Sequence, residues 1–192
     1  MPAETTRRWT AQEVRELIAA QPLATPRYEL VDGELLVTPS PSYRHQLAVT
    51  LLVVALSKYL DRQKLGECLT SPSDVELEPE DIRQPDLYVV RKDELRRVIK
   101  TDYPIHELLL AIEVLSPSSS RYDRVKKRPG YQRYVPEYWI VDNDARLLER
   151  WLPADERPQI ITDVLTWLPQ GATESFELAL APFFARVHGE DL

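Results

Sequence analysis

The 192-residue sequence predicts an α/β fold, a mixed β-sheet flanked by helices. Three observations lead there. Short apolar runs at residues 87–90, 108–115 and 137–141 are bounded by turn residues and read as buried strands. Asp32-Gly33 separates two such segments, 28–31 and 34–37, and marks a hairpin. Leu47, Leu51, Val54, Ala55 and Tyr59 recur at helical spacing and mark a long helix over 43–63.

The elements follow in order. Thr10, with Glu13 three residues on, is a capping box opening a short helix over 11–20. After the hairpin, Pro39-Ser40-Pro41-Ser42 is a loop that caps the long helix, and Gly66 stops that helix. Residues 67–77 read as a strand or two, with alternation in Asp74-Val75-Glu76-Leu77, and Pro79-Glu80-Asp81 is a turn. Asp86 opens the next strand. Residues 91–100 are polar and form a surface helix. Glu113 lies inside the following strand, Ser116–Ser120 is a loop, and 121–134 is largely helical despite Pro129 and Gly130. Residues 137–141 and 147–152 pair across a turn at Asp142-Asn143-Asp144. The last third is a β meander over 159–161, 164–167 and 176–187. Tyr138, Trp139, Trp151 and Trp167 are core or interface aromatics.

Composition narrows the class. Hydrophobic residues make up 43% and charged residues 29%, which describes a globular chain of one domain, 1–192. Lys+Arg 24 against Asp+Glu 31 gives −7, which argues against a wide nucleic-acid footprint but allows a local basic patch. Cys68 is the only cysteine, so neither an internal disulfide nor a thiolate metal cluster is available. The first twelve residues carry no apolar signal core, and the longest apolar stretch, 47–56, is too short to span a bilayer. A cytoplasmic location without membrane association is the expectation. Phosphate-loop, nucleophile-elbow and zinc spacings do not occur.

The chemistry rests on Asp86 and Glu113. A carboxylate in a buried strand is costly unless it is paired or binds a cation. Two such strands side by side would give a divalent-metal site of oxygen ligands. The plainer alternatives are a strand-capping aspartate after Pro85 and a buried ion pair at Glu113. A cationic cluster follows, Arg121, Arg124, Lys126, Lys127, Arg128 and Arg133. Asp123 and Lys127, four apart, share a helix face and could pair on the surface. Otherwise one lysine serves the site, orienting an attacking water and steadying phosphoryl charge, while the other cations meet phosphates. Glu29 is either a solvent-face strand residue or part of the site. His45, near a helix N-terminus, suits a neutral hydrogen-bonding role. Asp74 is a third carboxylate or an edge residue. His106 and His188 have no evident partners.

Five blocks, in order, carry a resemblance: residues 28–35; 39–41 with Arg44-His45; Gln84-Pro85-Asp86-Leu87; residues 113–118; and 135–142. The chain resembles the Uma-two family, whose members are described as endonucleases of the PD-(D/E)XK nuclease superfamily. The resemblance implies a restriction-endonuclease-like αβββαβ core: helix 43–63, three strands ending at Glu113, a helix after Ser120 and a strand at Tyr138. An N-terminal β-hairpin and a C-terminal β extension flank it. It implies Asp86 and Glu113 as ligands of a catalytic Mg²⁺ (or Mn²⁺), with Glu29 and His45 near the site. The superfamily lysine would stand at Leu115. In the Uma-two pattern it moves into the next helix, to Lys127 by the local pattern from Asp123 to Tyr131, or to Lys126 by counting back from Pro136; Lys127 matches better. The implied activity is endonucleolytic hydrolysis of DNA, with Arg121, Arg124, Lys126 and Arg128 on the phosphate backbone and a homodimer presenting two sites. The rival is a catalytically silent nuclease fold serving as a binding or regulatory module.

Overall fold

A computed structural model describes residues 7–23, 26–38, 40–78, 81–101, 104–116 and 120–190. The centre is a six-stranded sheet in the order β10-β9-β8-β7-β6-β3, formed by β3 (Gly66–Thr70), β6 (Leu87–Arg91), β7 (Leu110–Val114), β8 (Tyr138–Asp142), β9 (Leu147–Trp151) and β10 (Gln159–Ile161). Within this sheet, among the described residues, β7 and β8 are the one parallel pair. A parallel pair needs a crossover, and the crossover here is the helical segment 120–134 that carries the cationic cluster. The mixed sheet flanked by helices is the architecture expected from the sequence.

Each sheet face has its own core. One face packs the long helix α2 (Tyr43–Gln63) and the C-terminal helix α6 (Leu180–Val187) over Leu87, Val89, Ile112 and Trp139. The other face, with Tyr88, Ala111 and Ile140, lies beneath Tyr131 of the crossover, Val135 just after it, and Leu95 and Val98 of α3 (Lys92–Thr101). Burying each of the larger apolar side chains contributes about 1.5–3 kcal/mol.

The N-terminal hairpin, β1 (Arg27–Val31) and β2 (Glu34–Thr38), does not join this sheet. It pairs with β5 (Asp81–Arg83), which pairs with β4 (Val75–Glu78), giving a separate sheet β2-β1-β5-β4. Asp32 and Gly33 have φ of 52° and 76°, as a tight hairpin turn requires. Thr10 and Glu13 form the expected capping box of α1 (Ala11–Ala19), whose Ala11 and Val14 pack on Leu30 and Ile82. This layer carries Arg27 and Glu29 to the central sheet.

Several sequence readings are corrected. The buried stripe of α2 is His45, Ala48, Val49, Leu52, Leu56, Tyr59 and Leu60, while Val54 is exposed. Apolar residues surround that helix, so spacing alone did not fix its inward face. Lys64, at φ 55°, caps α2. Gly66 instead begins β3, where a Cβ would lie 2.1 Å from the Val90 carbonyl oxygen. The tail is not all β: β11 (Val164–Trp167) pairs with β12 (Phe176–Ala179), and residues 180–187 are helical. The apolar alternation Leu178-Ala179-Leu180-Ala181 resembles a strand, and Pro182 falls in the first turn, where a helix tolerates it. Pro39, Pro79, Glu80 and residues 117–119, parts of expected loops and turns, lie outside the described residues.

Candidate active site

Asp86 stands one residue before β6, and Glu113 is within β7. Leu87 pairs with Ile112 in an antiparallel ladder, and continuing that register by one residue on each strand would set Asp86 opposite Glu113. Opposed residues point to the same face, so both carboxylates share the face of Tyr88 and Ala111. Asp86 Oδ2 accepts from the Val114 amide at 2.9 Å, tying the strands at the site. Asp86 Oδ1 faces Arg27 Nη1 at 2.9 Å and His45 Nε2 at 3.4 Å. Arg27 also donates to Ser71 Oγ at 2.8 Å.

Lys127 is the hub. Its Nζ lies 2.8 Å from Glu29 Oε2, 3.1 Å from Glu113 Oε1 and 3.4 Å from Asp123 Oδ1. Tyr131 donates its hydroxyl to Glu113 Oε1 at 3.2 Å. Glu29 Oε1 accepts from the Gln84 amide at 2.9 Å, so the carboxylate that holds Lys127 is itself held. The Asp123–Lys127 pair is therefore buried, not a surface pair. Lys126 turns away and meets Glu34 at 3.0 Å.

Local backbone shape aims Lys127. The crossover runs as α4 (Ser120–Tyr122), a π-helical turn at Asp123–Lys127, then α5 (Arg128–Tyr134). The Arg128 amide donates to the Asp123 carbonyl. Such widened turns insert a residue into a helix and re-aim its side chains. Arg83, fully buried, supports the turn from below. It donates to the Lys127 carbonyl at 2.7 Å, pairs with Asp81 at 2.6 Å, and sits 4.9 Å from the Tyr131 ring centre. A Cβ on Gly130 would lie 2.1 Å from Arg83 Nη2, so the glycine makes room for the guanidinium.

The electrostatics follow from burial and crowding. Burial pushes the Glu113 carboxyl well above its ordinary range; Lys127 opposes this, and Asp86, Asp123 and Glu29 reinforce it. Burial would also raise Asp86, but the His45 hydrogen bond and charge, with Arg27 and Lys127, hold it below the usual carboxylate range. Burial would lower Lys127, yet Glu113, Glu29, Asp123 and Asp86 hold it well above the ordinary lysine value. The four carboxylates Glu29, Asp86, Glu113 and Asp123 thus outnumber Lys127, Arg27 and the His45 ring together. The negative excess can be relieved by a proton on Glu113 or by a bound cation.

The donor set fits a hard divalent cation, with Asp86 and Glu113 as the residues that could hold it. Among the described residues no group of three or more His, Cys, Asp and Glu is assembled as a ready cage. Mg²⁺ does not require one, because it uses one or two carboxylates and keeps several waters. A cavity of about 120 Å³ lined by Arg27, His45, Ser71 and Asp86 opens beside Asp86.

Of the cations assigned to nucleic acid, Arg121 is exposed. Arg124 is bound to Glu149 and Asp142 at 2.7 and 2.8 Å. Arg128 donates to Gln132 at 2.7 Å and covers the Trp151 ring. Asp74 accepts from Gln84 Nε2 at 2.8 Å and is not among the carboxylates around Lys127. His106 and His188 meet the backbone carbonyls of Glu76 and Asn143. Sequence reasoning missed Arg27, Arg83 and Tyr131. Two signals were available: Arg27 is two residues before Glu29 on one strand, and Tyr131 is four after Lys127 on one helical segment.

This architecture is nuclease-like. A crystal structure from Anabaena variabilis ATCC 29413, described as "a putative nuclease belonging to DUF820", shares it with a TM-score of 0.70 at 19% identity, over 91% of this chain and 98% of that one. At that identity the likeness is one of fold. The chain belongs to the Uma2 family, described as "Putative restriction endonuclease", whose model matches residues 12–181. The family resemblance carried by the five sequence blocks is borne out. No curated protein matches the sequence. Among the described residues no helix is long and apolar enough to cross a membrane.

Proposed function

We propose that this protein is a divalent-metal-dependent endonuclease that hydrolyses DNA phosphodiesters, a member of the PD-(D/E)XK superfamily. The observation that carries the reading is the convergence of Asp86, Glu113 and the buried Lys127 on one sheet face, with Lys127 Nζ 3.1 Å from Glu113. Asp86 and Glu113 would hold Mg²⁺ or Mn²⁺. Such an ion, when bound, lowers the pKa of a coordinated water and stabilises charge on the phosphoryl oxygens. The protein's own groups do the rest. Lys127 orients the attacking water and steadies the developing negative charge. Glu29 keeps Lys127 in place. His45 and Arg27 meet the phosphate at the mouth of the cleft. Arg121, Arg124, Lys126 and Arg128 follow the backbone of the substrate, exchanging carboxylate partners for phosphates. A homodimer would present one such site to each strand; sedimentation equilibrium gives the mass that tests it.

The second reading, a catalytically silent nuclease fold that binds nucleic acid or regulates, is favoured by one observation. Asp86 is already met by both Arg27 and His45. Nicking of supercoiled plasmid separates the two. The enzyme reading expects nicking with Mg²⁺ or Mn²⁺, none in EDTA, and none by Asp86→Asn. A silent module leaves plasmid intact under every condition.

A further inference from the structure

A second cavity, of about 420 Å³, adjoins the cleft. Arg27 and Pro72 line both this cavity and the smaller one at Asp86, so the two share a wall. Tyr28 and Pro22 supply apolar surface, and Asp74 and Gln84 supply the polar part. A nucleotide whose phosphate meets Arg27 at the shared wall can place its base here.

The polar part of the wall has a definite sense. Gln84 is 4% exposed, and its Nε2 donates to Asp74 Oδ1 at 2.8 Å. A carboxylate accepts and cannot donate, which fixes the amide and identifies Oε1 as its other end. That Oε1 is buried and has no hydrogen-bond partner among the described residues. Asp74 has burial acting to raise its carboxyl above the ordinary range, offset only in part by the Gln84 hydrogen bond. Arg27 Nε is also buried, with no hydrogen-bond partner among the described residues. The cavity is therefore lined by the Asp74 carboxylate as an acceptor, with the Arg27 guanidinium beside it and the buried Gln84 amide oxygen behind.

Among the bases, guanine has two adjacent donors on one edge, N1–H and the N2 amine. Adenine and cytosine set one amine beside a ring acceptor, and thymine sets one N–H between two carbonyls. We propose that this cavity is a guanine-preferring nucleotide subsite next to the cleavage site, with the two oxygens of the Asp74 carboxylate on the guanine edge and Arg27 on the phosphate. The inference deepens the nuclease reading and rests on it for the role of the adjoining cleft, while its test needs no cleavage.

The test is calorimetric titration of the full chain with the four deoxynucleoside 5′-monophosphates, alongside plasmid nicking. The guanine nucleotide should bind at least about tenfold tighter than the other three, the discrimination of a good two-point hydrogen-bonded pair. The deoxyinosine nucleotide, which lacks the N2 amine, should lose about tenfold. Asp74→Asn, its fold checked by thermal unfolding, should reduce the preference to about twofold or less, because it replaces an acceptor with a donor. If that variant does not fold, the inosine comparison on the native chain still decides. Equal affinities, or no binding of any of the four at millimolar concentration, would overturn the subsite whether or not plasmid is nicked. A guanine preference without nicking would support the subsite and overturn the nuclease reading.

Discussion

The Lys127 ammonium lies 3.1 Å from the Glu113 carboxylate, with side-chain exposures of 4% and 2%. One residue belongs to the crossover helix and the other to the central strand it leaves. The contact therefore reports the docking of that helix as well as the chemistry of the site. Because Glu29 and Asp123 meet the same ammonium, one positive charge stands among three carboxylates. Removing it leaves them buried and mutually repelling.

Lys127→Met should abolish cleavage and lower unfolding free energy by about 3–5 kcal/mol, the usual cost of breaking a buried ion pair from one side. Lys126→Ala removes only a half-exposed contact with Glu34 and should cost at most about 1 kcal/mol. Urea denaturation of the two variants gives both values. A larger loss in Lys126→Ala would contradict the assignment of Lys127.

Gly130→Ala should destabilise by about 1–3 kcal/mol, as small-to-large changes in packed interiors do. The added Cβ meets Arg83, which holds the Lys127 carbonyl. In an Arg83→Lys background the same change should cost clearly less, since the fork of the guanidinium is gone. Equal costs in both backgrounds would show that Arg83 and Gly130 do not act together.

The pH dependence of stability should change when metal binds. The folded Glu113 carboxyl titrates well above its ordinary 4.5, so above that pH the folded state holds a proton that the unfolded state has lost. Stability without metal should therefore fall as pH rises from 4.5 towards the folded value. Asp86 has the opposite sign: its contribution is present above its ordinary 3.8 and is lost only as pH falls through its lowered folded value. Lys127 contributes fully below its ordinary 10.5, so it adds no slope at intermediate pH. A cation at the carboxylates should remove the Glu113 slope. At about 100 times its Kd, such an ion adds about 2.7 kcal/mol. Thermal unfolding from pH 4.5 upward in EDTA and in Mg²⁺ checks this, and parallel curves would contradict it.

The order of elements and the pair Asp86–Glu113 were legible in the sequence because apolar runs with single carboxylates are unusual and costly. The hairpin was legible because Asp32-Gly33 fits few other conformations. Glu29 was ambiguous, since alternation along its strand does not say which face is covered; burial came from a second sheet built by β5 and β4. Lys127 against Lys126 was a question of rotation about a helix axis, and the π-helical turn that settles their placement has no simple sequence pattern. Arg83 was hidden because a fully buried arginine is rare, and its room depends on Gly130, 47 positions along by residue number. The inward face of α2 and the helix at 180–187 were hidden by apolar residues that suit more than one arrangement.

The most direct measurement is the initial rate of supercoiled-plasmid nicking in Mn²⁺ by the native chain and by Glu113→Gln, which keeps the shape of the side chain and removes its charge. Metal-dependent nicking by the native chain is expected, with a loss of at least about a hundredfold in the variant, whose fold stays intact. Nicking by Glu113→Gln at the native rate would contradict the assignment of the metal site, and intact plasmid with the native chain would contradict the nuclease itself.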